Sequence, residues 1–255
     1  MSAPDLAGSV AVVTGGAGVI GRAIVQGLAA AGASVAVADL ATSASARLDE
    51  SAVSFTRVDV TSEHQVAQWL DAVEVTMGIP TIVVPAAATV TVKSLLDISA
   101  EEWSAELASV LTGPFLVARD AASRMLRAGR PGRIVLLGSW AANAPHPHVP
   151  AYAAAKAGVR MLTQCLASEL APHDIFVNEV AIGVVDAGLS ASAFAKDPEL
   201  RMRSMRASAL GRLVAVDDIV AEVLHLCDPD RRSTTGATVL VDCGISLRTA
   251  MDSHD

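Results

Sequence analysis

Short runs of β-branched and aliphatic residues alternate with longer amphipathic segments along the whole chain. The candidate strands are Val10 to Thr14, Ser34 to Ala38, Val53 to Val58, Thr81 to Val84, Arg133 to Leu137, Asp174 to Val180 and Ala237 to Val241. Consecutive parallel strands need a helical crossover, and the crossover helices cover both faces of the sheet. The alternation therefore predicts an α/β fold with a doubly wound, seven-stranded parallel sheet.

Nothing in the sequence divides the chain of 255 residues into parts. Its residues are 52% hydrophobic and 18% charged, which is typical of one large buried core, and neither a repeat nor a linker interrupts it. We expect residues 1–255 to form a single domain. Residues 186–210 are rich in Ala, Ser, Met and Arg, and this long connection is predicted to cover a substrate site.

Charge and hydropathy argue against several classes of partner. The net charge is −8, and the scattered Lys and Arg form no basic stripe for a nucleic-acid backbone. The longest uncharged stretches, such as Ala23 to Ala38 and Met77 to Val92, are interrupted by Gly or Pro and fall short of a bilayer span. Met1 to Gly8 lacks the basic and apolar parts of a secretory signal, so we expect a cytoplasmic protein.

The three cysteines are Cys165, Cys227 and Cys243. They lie far apart in the sequence and have no histidine at ligand spacing, so no metal site is predicted. We expect them to be buried as small hydrophobic residues.

A glycine-rich sequence, Thr14 to Gly21, lies where the first predicted strand turns into the first helix. Glycines allow the backbone to approach a pyrophosphate closely, and a helix N-terminus supplies free N–H groups and a favourable dipole. The sequence therefore predicts a Rossmann-type dinucleotide-binding turn, with Gly15, Gly18 and Ile20 among the cofactor contacts. The alternative is an ordinary tight connection between a strand and a helix.

An acidic residue, Asp39, follows the second predicted strand, eighteen residues beyond Gly21. At about this spacing a carboxylate can accept hydrogen bonds from the adenosine ribose hydroxyls. The same negative charge would repel a 2′-phosphate. Asp39 therefore favours NAD(H) over NADP(H), the alternative being a solvated turn residue.

Tyr152 and Lys156 are four residues apart in a segment predicted to be helical, so both side chains can lie on one face. A nearby ammonium group favours the phenolate, so we expect Lys156 to lower the pKa of Tyr152 and make it a usable acid or base. Ser139 ends the fifth predicted strand, where its hydroxyl can hydrogen-bond a substrate oxygen.

Together these motifs resemble those of the short-chain dehydrogenase/reductase family, from about Ala7 to Gly244. The resemblance implies that Tyr152 is the general acid/base, that Lys156 holds the nicotinamide ribose and tunes Tyr152, and that Ser139 positions the carbonyl. It implies an NAD(H)-dependent oxidoreductase that interconverts a secondary alcohol and a ketone. It also implies a homotetramer that acts on a small molecule.

The resemblance extends to three further cofactor contacts. Asp59 and Val60, after the third predicted strand, resemble the pair that contacts adenine in the family. Val185 lies in a segment that resembles the one meeting the carboxamide.

Several positions depart from the family pattern. They are Val19 for a glycine of the turn, Pro85 to Ala88 for the sequence NNAG, Val110 for an asparagine on the long helix, Ile182 for a proline, and Cys243 for a glycine near the end of the match. They leave open a catalytically weakened sensor or assembly partner that binds NAD(H), and also a dehydratase or epimerase using the same tyrosine. Because Ser139, Tyr152 and Lys156 are all present, we favour the oxidoreductase.

Overall fold

The computed structural model describes residues 4–41 and 53–247. The first residues of the Met1 to Gly8 segment and both ends of the predicted 1–255 domain lie outside this range. The strands are β1 (Val10–Thr14), β2 (Ser34–Asp39), β3 (Val53–Arg57), β4 (Ile82–Pro85), β5 (Gly132–Ser139), β6 (Ile175–Ile182) and β7 (Thr238–Val241). The helices are α1 (Val19–Ala30), α2 (Glu63–Thr76), α3 (Ala100–Leu107), α4 (Gly113–Ala128), α5 (Pro150–Leu170), α6 (Ala191–Lys196), α7 (Pro198–Ala207) and α8 (Val216–Cys227).

The seven strands form one parallel sheet in the order β3-β2-β1-β4-β5-β6-β7. This confirms the predicted Rossmann-type, doubly wound α/β fold. The order reverses between β1 and β4, which opens a crevice at the carboxyl ends of the strands. Every predicted strand is present, with ends that differ by at most two residues. β5 and β6 run further than expected because they pair with each other in register as far as Ser139 and Ile182.

Alternate residues of the buried strands pack into two separate cores. Val10 and Val12 of β1 face the layer that contains α2, α4 and α5. Ala11 and Val13 face the opposite layer, which contains α1 and α8. Since side chains alternate along a strand, a strand buried on both faces must be apolar throughout. This explains the unbroken aliphatic runs of the sequence.

A single bent helix carries the chain from the loop after β4 to the start of β5. It begins with a capping box, in which Ser99 Oγ accepts from Glu102 N–H at 3.2 Å and Glu102 Oε2 accepts from Ser99 N–H at 2.9 Å. A π-helical turn at Ala108–Thr112 joins α3 to α4. Such a turn inserts one residue into the helix and rotates the faces on either side of it. Glu106, just before this turn, and Val110, within it, are both buried.

Residues 186–210 form a short 3₁₀ turn, Gly188–Ser190, followed by α6 and α7. The end of this segment is tied to the chain after β7, because Ser208 Oγ donates to Cys243 O at 3.0 Å. Its beginning is held by an ion pair between Asp186 and Arg201. Phe194 is buried, whereas Met202 is 43% exposed. The prediction that this segment covers a substrate stays a prediction.

The cysteines behave differently from one another. Cys227 is buried as expected, and Cys243 is partly buried with a left-handed φ of +53°. Cys165 is exposed on α5, so the expectation of burial was wrong for it. Its helix position faces solvent, which periodicity alone did not reveal.

Two kinds of site are absent from the described residues. No group of three or more His, Cys, Asp or Glu side chains there could hold a metal ion. No helix there is long and apolar enough to cross a membrane.

The turn between β1 and α1 depends on the close approach of two glycines. A Cβ atom at Gly21 would lie 2.2 Å from Gly15 O, whereas one at Gly18 would lie 3.3 Å from the same atom. We expect Gly21→Ala to lower the free energy of unfolding by about 1–3 kcal/mol, because the backbone must shift, and Gly18→Ala to cost less. Urea unfolding of both variants measures the difference. Equal stabilities of the two variants would contradict this packing.

Candidate active site

Three predicted site residues lie together at the carboxyl edge of the sheet. Ser139 is the last residue of β5, and α5 begins at Pro150 just beyond the following loop. Tyr152 and Lys156 lie one turn apart on α5, with Lys156 Nζ 5.4 Å from the centroid of the Tyr152 ring. The Ser139 hydroxyl lies near enough to Tyr152 to lower the tyrosine pKa. Its Oγ accepts from Ala141 N–H at 3.2 Å. The fold therefore brings together a hydroxyl, a phenol and an amine.

Lys156 is only 5% exposed. Its Nζ donates to Leu137 O at 2.7 Å, which fixes the side chain against β5 and leaves two N–H donors. Burial lowers the pKa of Lys156 to about 8, and the Glu179 carboxylate acts in the opposite direction. An amine with this pKa is still mostly charged at neutral pH.

Tyr152 differs from the expectation drawn from its spacing to Lys156. Burial raises the pKa of Tyr152 to about 12; a hydrogen bond from Ser139 lowers it, and the Glu106 carboxylate raises it further. The predicted lowering by Lys156 was therefore wrong for this structure. The physical reason is that burial removes the water that would stabilise a phenolate.

The glycine-rich turn meets the segment that follows β4. Gly15 has a left-handed φ of +68°, and a Cβ atom there would lie 2.6 Å from Ala87 Cα. Thr14 connects these two segments of the chain. Its carbonyl accepts from Ala86 N–H at 3.1 Å, and its Oγ1 accepts from Ala87 N–H at 3.3 Å. Pro85 to Ala88, which lacks the amides found in the family, therefore contributes backbone to the rim of the crevice.

The N-terminus of α1 is open towards the same crevice. Gly18 caps the helix without a side-chain hydrogen bond, and no acidic residue occupies the first turn. The first N–H groups of the helix, including that of Ile20, are therefore available to an anion, and the helix dipole favours one. These features fit the pyrophosphate of a dinucleotide.

Asp39 ends β2 and reaches the glycine-rich turn. Its Oδ2 accepts from Ala17 N–H at 2.9 Å, and its Oδ1 accepts from Ala41 N–H at 3.0 Å. The carboxylate is thus held in place beside the turn. Its position fits the adenosine ribose of a dinucleotide whose pyrophosphate lies at α1.

The other predicted cofactor contacts occupy the same edge. Asp59 follows β3, and its Oδ1 accepts from Thr61 N–H at 2.9 Å. Val60 is buried against Gly113, where an added Cβ would lie 2.9 Å from Val60 Cγ2. Val185 follows β6, is buried, and forms an isolated β-bridge with Val214.

A buried ion pair beneath the site was missed by the sequence reasoning. Glu179 is fully buried in β6, and its Oε2 accepts from Arg160 Nε at 3.0 Å and from Thr238 Oγ1 at 2.6 Å. Arg160 lies one turn beyond Lys156 on α5 and also hydrogen-bonds to Asn143, which follows Ser139 in the chain. The signal for this pair was a charged residue at an apolar position of the run Ile175 to Ile182.

Gly138 makes room for this ion pair. A Cβ atom at Gly138 would lie 1.7 Å from Glu179 Oε1, so only glycine fits on the neighbouring strand. The pair therefore joins α5, β6 and the loop after β5. It supports the elements that carry Ser139, Tyr152 and Lys156.

Comparison with known proteins agrees with this architecture. Residues 15–246 match the sequence profile of the family described as enoyl-(acyl carrier protein) reductase. The chain is 35% identical to the short-chain dehydrogenase/reductase eriH of Hericium erinaceus over 92% of this chain and 96% of that protein. It is 33% identical to 3beta-hydroxysteroid dehydrogenase 1 of Eggerthella lenta over 95% of each.

A solved structure has the same fold. The crystal structure of a gluconate 5-dehydrogenase from Burkholderia cenocepacia, in complex with NADP and tartrate, matches with a TM-score of 0.90 and 28% identity. The match covers 96% of this chain and 97% of that chain.

The sheet order, together with the profile match, defines an oxidoreductase of the Rossmann type. Such enzymes act on small molecules and use a nicotinamide cofactor. The chain belongs to the short-chain dehydrogenase/reductase family.

The Arg160–Glu179 pair yields a double-mutant test. We expect Arg160→Met to lower the free energy of unfolding by about 3–5 kcal/mol, because it leaves a fully buried carboxylate without its charged partner. Adding Glu179→Gln should recover part of that loss, since no buried charge then remains. Urea unfolding of the two single variants and the double variant measures the coupling.

The control is Arg212→Met, which breaks the exposed ion pair with Asp218 and should change stability little. Additive effects of Arg160→Met and Glu179→Gln would contradict a stabilising interaction between the two side chains.

Proposed function

We propose that this protein is an NAD(H)-dependent dehydrogenase/reductase that interconverts a secondary alcohol and a ketone, with Tyr152 as general acid/base. The observation that carries the proposal is the convergence of Ser139, Tyr152 and Lys156 at the carboxyl edge of the sheet, beside an open helix N-terminus. NAD(H), when bound, accepts or supplies the hydride at its nicotinamide ring. The proton-transfer steps are carried out by side chains of the protein.

Tyr152 handles the proton of the substrate oxygen. Because burial holds its pKa at about 12, the phenol is protonated at neutral pH and can donate to the oxygen of a ketone that becomes an alkoxide. Ser139, which interacts with Tyr152, supplies a second hydroxyl that would position the same oxygen. In the oxidative direction Tyr152 must lose its proton first, so the high pKa supports faster oxidation at alkaline pH.

Lys156 supplies charge and hydrogen-bond donors. One of its N–H groups is committed to Leu137 O, which leaves two for a ribose hydroxyl. Glu179, itself paired with Arg160, helps Lys156 to keep its proton.

Asp39 supports NAD(H) as the preferred cofactor. Its two oxygens accept the N–H groups of Ala17 in the turn and of Ala41 just beyond β2. This arrangement supports a position of the negative charge beside the adenosine ribose of a cofactor. Gly15, Gly18 and Ile20 would hold the pyrophosphate. The similar gluconate 5-dehydrogenase was crystallised with NADP, so family membership does not decide between NAD(H) and NADP(H). The preference then depends on the charge beside the adenosine ribose.

The larger organisation is proposed on the same basis. Residues 1–255 would act as one domain, with Asp59, Val60 and Val185 lining the cofactor crevice and residues 186–210 covering the substrate. The active protein would be a cytoplasmic homotetramer. Size-exclusion chromatography with light scattering tests the tetramer, and elution as a stable monomer would contradict it.

The proton-transfer role of Tyr152 is tested by removing its hydroxyl. We expect Tyr152→Phe to lower kcat by about 10²–10⁴-fold while NADH still binds, because the ring remains and only the acid is lost. Absorbance of the nicotinamide against a panel of ketones and alcohols measures turnover, and fluorescence titration measures binding.

Unchanged turnover in Tyr152→Phe would contradict the mechanism. Tight NADH binding with no turnover on a broad panel of substrates would favour the alternative of a weakened sensor, and product analysis would detect a dehydratase or epimerase.

The cofactor preference is tested by removing the charge of Asp39. We expect Asp39→Asn to improve NADPH binding relative to NADH by about 10-fold or more, because the repulsion of a 2′-phosphate is removed and the side-chain shape is kept. Fluorescence titration with both cofactors measures the ratio. Asp217→Asn, which changes an exposed carboxylate of α8, is the control for net charge and should leave the ratio unchanged.

A further inference from the structure

A second carboxylic acid, Glu106 of α3, is buried in the same region and was not singled out by the sequence patterns. Its side chain is 2% exposed, which places it among the most buried residues of the described chain. Oε2 accepts from Thr91 N–H at 3.1 Å, in the loop after β4. Oε1 is buried and has no hydrogen-bond partner among the described residues. A half-satisfied acid in the interior lowers stability, since its unpaired oxygen has lost its water.

The surroundings of Glu106 connect it with Tyr152. α3 packs against α5, and the Glu106 carboxylate interacts electrostatically with Tyr152. The loop that holds Glu106 also contacts the chain leading into α5, because Lys93 N–H donates to His148 O at 2.9 Å. Glu106 therefore lies where α3, the loop after β4 and the α5 layer meet.

No charged side chain of these elements neutralises Glu106 in the described structure. On the loop after β4, Lys93 is paired with Glu102, with Nζ and Oε1 2.6 Å apart. On α5, Lys156 donates to Leu137 O and Arg160 is paired with Glu179. Before α5, His146 and His148 interact with each other, and burial lowers the pKa of His146. Burial raises the pKa of Glu106 itself, since water no longer stabilises its charged form.

We propose that Glu106 is a positioning residue of the active site, whose carboxyl group controls the charge state of Tyr152 across the contact between α3 and α5. The proposal extends the function proposed above, in which Tyr152 moves the proton. A protonated Glu106 leaves Tyr152 free to form a phenolate, whereas an ionised Glu106 opposes it because the two charges have the same sign. The coupling is reciprocal, so each group makes the other harder to ionise.

The consequence is that, once Glu106 has lost its proton, the site resists the loss of the proton of Tyr152. When Glu106 is ionised, Tyr152 keeps its phenolic proton more tightly and stays ready to act as an acid towards a ketone. Glu106 thus biases the site towards the reductive direction as the pH rises. A purely structural glutamate would have no such effect on Tyr152.

Tyr152 is the one tyrosine in the sequence, which makes a direct test possible. The absorbance of tyrosinate in the free protein therefore reports Tyr152 alone, without any substrate or cofactor. We compare wild type with Glu106→Gln at alkaline pH values where circular dichroism shows that the fold is intact. We expect roughly threefold more tyrosinate in Glu106→Gln at a given pH, because removing the neighbouring negative charge lowers the pKa of Tyr152.

Two further variants complete the test. Glu106→Met has a similar volume and no polar atoms, so it should preserve packing and produce the same rise in tyrosinate. Glu101→Gln removes an exposed carboxylate of the same helix and should leave the titration as in wild type. Tyrosinate fractions in both Glu106 variants equal to that of wild type would overturn the proposal.

The result is independent of the proposed activity. Failure of Tyr152→Phe to lower turnover would refute the dehydrogenase mechanism and leave the titration result standing. In an active enzyme, the pH profile of kcat/KM for alcohol oxidation should shift to lower pH in Glu106→Gln while the KM for NADH stays unchanged. A fall in kcat at every pH without a shift of the profile would contradict control through Tyr152.

Discussion

The crevice at the carboxyl ends of the parallel strands is the feature on which the site depends. The strand order reverses between β1 and β4, so the connections leaving these strands go to opposite faces of the sheet and leave a gap above their ends. Thr14, Asp39, Pro85 and Ser139 all stand at the last positions of their strands. The turn after β1 is then narrow enough that glycine is required at positions 15 and 21.

Burial gives this crevice its chemistry. Lys156 is buried and Tyr152 is partly buried, so the lysine loses its proton more easily and the tyrosine holds its proton more tightly than in solution. The two shifts bring the lysine close to the physiological range and move the tyrosine away from it. Acidic groups on two sides adjust the result, since Glu179 helps Lys156 to stay charged and Glu106 opposes ionisation of Tyr152.

The buried charges also show how the chain supports an unusual set of polar groups within an apolar interior. Arg160 and Glu179 form a pair that Thr238 and Asn143 complete with hydrogen bonds, and Gly138 supplies the space. Glu106, by contrast, has one oxygen without a partner. A fold driven by aliphatic burial tolerates such groups where the surrounding helices and strands are held by many other contacts.

The sequence by itself determined the fold class, the seven strands and the family. Strand burial, helix periodicity and the Tyr152–Lys156 spacing are local patterns that can be recognised along the sequence without a structure. The capping box at Ser99 also corresponds to a local pattern, a serine followed three residues later by a glutamate. Only the tertiary structure decided the direction in which the Tyr152 pKa shifts and the pairing of Arg160 with Glu179. It also decided that Glu106 is buried with one oxygen lacking a hydrogen-bond partner among the described residues. Each depends on burial or on contacts between segments that are distant in the chain, and no local pattern encodes these. The electrostatic effect of a charge depends on what surrounds it, and the surroundings are decided by the tertiary structure.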